Sequence, residues 1–150
     1  MKKTIIAIYG RENEGKSETI KNVHKSLLYK FPNAKKIPEN QKIDYSEDIN
    51  TCISINDFII GFESQGDPKS RMINENTLNN LAEKNCDIII CASRSKGETV
   101  HKVNEIANEF NYNVLWISSF FSRQLNTEFL NKKASENIIE IIKGLMLNQL

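Results

Sequence analysis

The stretch KTIIAIYGRENEGKS, residues 3–17, decides the reading of this chain. Its first part, Lys3 to Tyr9, is a short apolar run of the kind that forms a strand buried on both faces. Its second part, GRENEGKS over 10–17, satisfies G-x-x-x-x-G-K-[ST] at every fixed position. Behind it, Ile20, Val23, Leu27 and Leu28 recur at helical spacing until Phe31-Pro32 ends the pattern. Strand, glycine-bounded loop and helix in that order make an anion site. Gly10 and Gly15 let the backbone approach an anion with no Cβ in the way. Consecutive amides and the helix N-terminus then point at a phosphate. Lys16 is placed to reach β- and γ-phosphates, and Ser17 to offer a hydroxyl to Mg²⁺.

Working outward, two β-rich runs at 51–56 and 58–63 flank Asn56-Asp57, a two-residue hairpin signal. The polar segment 32–50, with Pro32 and Pro38, has no period and reads as a mobile connection or lid. ESQGDP (63–68) reads as a loop, and Ile73, Leu78, Leu81 and Ala82 predict a helix over about 73–85. A buried strand DIIICA (87–92), a helix through Val100, Val103, Ile106, Ala107 and Phe110, and a strand NVLWIS (113–118) follow. A C-terminal helix carries Phe129, Leu130, Ile138, Ile141, Ile142 and Leu145 on one side. This alternation predicts an α/β fold: a three-layer arrangement on a mainly parallel five-stranded sheet with one antiparallel edge strand. The expected strand order is 2-3-1-4-5, numbering those five strands along the chain.

With 150 residues, one domain over 1–150 is expected. Hydrophobic residues at 39% and charged residues at 26% fit a globular protein. A net charge of +1 excludes a strong global field as the binding device and leaves only a local basic patch open, and no strong nucleic-acid signal is visible. No apolar run is long enough to span a membrane. The apolar start is cut short by Arg11 and Glu12, too early for an export signal. Cys52, Cys86 and Cys91 lack C-x-x-C spacing and read as buried thiols in a reducing cytoplasm. His24 and His101 read as surface or boundary residues. Trp116 reads as core, and Phe120-Phe121 as a loop pair with one ring free to cover a nucleotide or a partner.

On the residues of 10–17 the chain resembles the P-loop NTPase superfamily. The resemblance implies binding of a Mg²⁺-nucleoside triphosphate by the loop Gly10, Arg11, Glu12, Asn13, Glu14, Gly15, Lys16 and Ser17, continued by Glu18. It also implies an acidic residue at the end of an apolar strand. FIIGFE (58–63) offers Glu63 as a metal ligand beside Ser17. Glu63-Ser64-Gln65-Gly66-Asp67 is similar to the D-x-x-G loop of GTPases, with Glu for Asp. By that likeness Gly66 senses the γ-phosphate and Asp67 or Gln65 positions the attacking water. The guanine-reading N-K-x-D is absent, since Ala92-Ser93-Arg94-Ser95 stands in its place. ATP is therefore the expected nucleotide.

The only four arginines, Arg11, Arg71, Arg94 and Arg123, all follow expected strands, on the edge where open α/β sheets bind ligands. One of Arg71, Arg94 and Arg123 is expected to stabilise charge on a transferring phosphoryl group, and Arg94 is taken as the catalytic candidate alongside Lys16, Glu63 and Asp67. Three functions compete: a small ATPase or switch working with a protein partner or as a homo-oligomer, a kinase transferring the γ-phosphate, and an ATP-sensing module without turnover.

Overall fold

A computed structural model describes residues 1–67 and 70–148. Pro68 of the ESQGDP loop and Lys69, a weaker phosphate-binding candidate, lie outside the described residues. Among the described residues, six strands form one mixed sheet: β1 (Thr4–Tyr9), β2 (Lys35–Ile37), β3 (Asn50–Ile55), β4 (Phe58–Glu63), β5 (Ile88–Ser93) and β6 (Asn113–Ser118). Five helices accompany them: α1 (Lys16–Lys30), α2 (Arg71–Asn74), α3 (Thr77–Glu83), α4 (Glu98–Phe110) and α5 (Thr127–Met146). The α/β class and the hairpin agree with the sequence reading. Ile55 pairs with Phe58 across Asn56-Asp57, and Asn56 sits at φ 54°, as such a turn requires.

The strand order is β2-β3-β4-β5-β1-β6. This corrects two expectations. The sheet has six strands, because Lys35–Ile37 adds a short antiparallel edge to β3 within the segment read as a lid. And β4 pairs with β5 (Ile60 with Ile88), so β5 separates it from the strand that feeds the 10–17 loop. The expected order had put 58–63 directly beside β1. The helix expected over 73–85 is broken into α2 and α3, with Asn76 at φ 54° between them.

The two sheet faces carry separate cores. Ile6, Ile8, Ile60, Phe62, Ile88 and Ile90 pack with Ile20, Val23 and Leu27 of α1 and Ile138, Ile139 and Ile142 of α5. Ile5, Ala7, Ile89 and Cys91 pack on the opposite face with Leu78 and Leu81 of α3 and Val103 and Ile106 of α4. Alternate residues of one strand therefore serve different layers, which is why β1 and β5 read as unbroken apolar runs. All three cysteines are buried thiols. His24 departs from its expected surface place: it is fully buried on α1, edge-on to Phe62 at 4.9 Å, with Nδ1 2.7 Å from the Tyr45 hydroxyl. Trp116 is half-buried, edge-on to Tyr9 at 6.4 Å on the outer strand.

Candidate functional site

The site begins where β1 ends. Asn13 at φ 61° and Gly15 at φ 82° turn the chain from strand into α1, and Gly15 is the N-cap. A side chain at 15 would be strained by that φ and would overlap the carboxamide of Asn131 on α5. No side chain caps α1, so its first amides are left to whatever enters the loop. The Glu14 carboxylate reaches back to accept from the Arg11 amide at 2.6 Å.

Lys16 is almost completely buried, yet its ammonium is well served. It donates to the carbonyls of Gly10 at 2.8 Å and Ser93 at 3.0 Å. Burial lowers its pKa from the ordinary lysine value, with the Asp67 carboxylate working in the opposite direction. The next residue, Ser17, donates to Asp48 Oδ1 at 2.8 Å. Ser64 donates to the same oxygen at 2.8 Å and accepts from the Ile49 amide at 2.7 Å. One carboxylate oxygen thus joins the loop of β1, the segment before β3 and the residue after β4.

These groups share a cavity of about 380 Å³ lined by residues 12–18, Asp48, 64–67, Ala92, Thr127 and Asn131. Gly66 lies against β5: a Cβ there would run into the Ala92 carbonyl and the Ser93 amide. Asp67 accepts from Arg94 Nε at 3.0 Å, and Arg94 also meets Glu12 at 3.6 Å. Arg94 therefore bridges the 64–67 loop to the 10–17 loop. Chemically the cavity combines a backbone amide cradle, a buried ammonium, a hydroxyl beside a carboxylate, and an arginine already paired with an aspartate.

Glu63 is not brought into this cavity. Its fully buried carboxylate accepts from Arg71 at 2.9 Å, from Asn50 Nδ2 at 3.0 Å, from the Gln65 amide at 3.1 Å, and from the Thr77 hydroxyl. Its acceptor sites are filled by protein donors. Arg71 is correspondingly held by Glu63 rather than offered to a phosphate. Arg11 and Arg123 are exposed. Asp48 is the group that sequence reasoning left without a reason: it lies in the polar, aperiodic segment 32–50, where nothing local distinguishes it from Asp44.

No protein-family model, curated protein or solved structure matches the chain.

Proposed function

We propose that the chain binds a Mg²⁺-nucleoside triphosphate, ATP in preference, and hydrolyses it as a small ATPase or switch working with a protein partner. The observation that carries this reading is the convergence of the 10–17 loop, buried Lys16 and the Ser17–Asp48 contact in one cavity. The uncapped α1 terminus and the amides of the loop favour an anion there. Lys16 now donates to two neutral carbonyls, and phosphate oxygens are stronger acceptors for its charge.

Ser17 and Asp48 would hold the Mg²⁺. Magnesium keeps several waters and takes phosphate oxygens, so it needs few protein ligands. That fits a hydroxyl and one carboxylate. Bound there, the ion would neutralise charge on the β- and γ-oxygens. Asp67, on the same cavity wall, would orient the attacking water. Arg94, released from Asp67 and Glu12, would stabilise charge on the transferring group. Gly66 brings its loop to the phosphate end. Phe121 and Leu125, exposed on the loop after β6, offer apolar surface to a partner.

Isothermal titration of the wild type and of Lys16→Ala with ATP and Mg²⁺ tests this reading. The substitution should weaken binding by about 100-fold or more, since it removes a charge-assisted contact from a buried site. Equal affinity in the two proteins would sink it.

A further inference from the structure

One wall of the phosphate cavity has no part in the chemistry proposed above. Thr127 and Asn131, one turn apart on α5, line it. In the sheet, β4 and β6 lie on opposite sides of β1, so the 64–67 loop and α5 bound the cavity from opposite sides. Asn131 is only 6% exposed. Its carboxamide packs on Gly15 and makes no hydrogen bond among the described residues. The carboxamide lines the cavity, so it can donate to and accept from a polar ligand group that enters there.

The same two helices bound a second cavity. It measures about 660 Å³ and is lined by Asn22, Asn126, Phe129, Lys132 and Ser135 among others. Asn22 lies one turn beyond Glu18 on α1, and Ser135 one turn beyond Asn131 on α5. The two cavities therefore follow one another along the α1–α5 seam. Their chemistry differs. The first offers an amide cradle and a buried ammonium. The second offers the ring of Phe129, which is 57% exposed and carries the Lys133 ammonium 5.4 Å from its centroid, and carboxamides that can both donate and accept. The Asn126 Oδ1 is used in capping α5 through the Phe129 amide at 2.8 Å, which leaves its NH₂ to donate.

We infer that the α1–α5 seam holds the nucleoside moiety of the ligand, with the base stacked on Phe129 and the sugar hydrogen-bonded by Asn131. This rests on the phosphate-binding reading above and deepens it. The phosphate chain then ends at the 64–67 loop, and its ester end leaves past Asn131. A phosphate cavity continued by an aromatic and amide-lined cavity selects a nucleotide over a bare polyphosphate.

The test compares ATP with inorganic tripolyphosphate, each with Mg²⁺, by titration calorimetry on the full chain. Wild type should bind ATP at least about tenfold more tightly, a difference of roughly 1.4 kcal/mol. Phe129→Ala and Asn131→Ala should each weaken ATP about fivefold or more, and Phe129→Ala should leave tripolyphosphate within about twofold. Phe129 is largely exposed, so its variant remains decisive if Asn131→Ala does not fold. Equal wild-type affinity for the two ligands overturns the inference and leaves the phosphate site standing. Equal loss of both ligands in Phe129→Ala also overturns it, because the seam would then act only through the loop. A wild type that binds neither ligand overturns the phosphate reading and the inference together.

Discussion

Glu63→Gln separates a metal ligand from an internal strut. The carboxylate is fully buried and receives Arg71, Asn50, the Gln65 amide and Thr77. Glutamine keeps the volume but removes the charge and turns one acceptor into a donor facing donors. Breaking a buried ion pair costs about 3–5 kcal/mol. The Arg71 side chain keeps 26% of its exposure and can recover some hydration, so about 2–3 kcal/mol is the figure to use here. At roughly 2–4 °C per kcal/mol for a chain of this size, the melting temperature should fall by about 4–12 °C. Thermal denaturation followed by circular dichroism, without nucleotide, reads this directly. The Mg²⁺ concentration for half-maximal ATP binding should stay within about twofold of wild type. A variant that melts with wild type but needs far more Mg²⁺ would refute the reasoning and return Glu63 to the metal.

Asp48→Asn should raise the Mg²⁺ requirement about tenfold or more and leave metal-free nucleotide binding nearly unchanged, as read by titration over a Mg²⁺ series. With no carboxylate in Ala92 to Ser95, ATP should bind at least as well as GTP. A competition assay favouring GTP by more than about tenfold would contradict that. His24, whose pKa burial and then Lys36 lower to about 4, should make stability pH-dependent. The neutral ring is favoured by the fold, so its contribution is complete above the unfolded value near 6.5 and is lost as pH falls from there to about 4. The loss totals about 3 kcal/mol and should be absent from the pH dependence of denaturant midpoints in His24→Phe.

The segments that became strands and helices were largely legible, because two-sided burial writes itself as apolar runs and one-sided helix burial as a 3.6 period. Adjacency was not. β1, β4 and β5 are all buried and apolar, so nothing in their composition tells whether 58–63 lies beside 4–9 or one strand away. The edge strand Lys35–Ile37 escaped because a three-residue exposed strand has no core face to display. In the site, the turn of 10–17 from strand into α1 was legible because Gly15 marks where the backbone needs a positive φ. Glu63 and Asp48 were not, since their roles depend on partners distant in sequence. Arg71 and Thr77 fold back over the first, while the second is fixed by Ser17 and Ser64. His24 illustrates the same limit. A histidine at a helical position does not announce that Tyr45 will come to cap it.

The wall that Thr127 and Asn131 provide also sets an order of events during synthesis. The 10–17 loop leaves the ribosome ahead of both sheet partners of the strand that feeds it, since β1 pairs with β5 and β6. Gly15 meets Asn131 later still. More than a hundred residues separate the loop from that contact. At about 5–20 residues per second, the nascent loop waits roughly 5–20 seconds for its far wall. The cavity is thus begun at 10–17 and closed only when α5 follows, and a ribosome-bound chain stalled before α5 carries the complete G-x-x-x-x-G-K-S motif without the cavity that it lines.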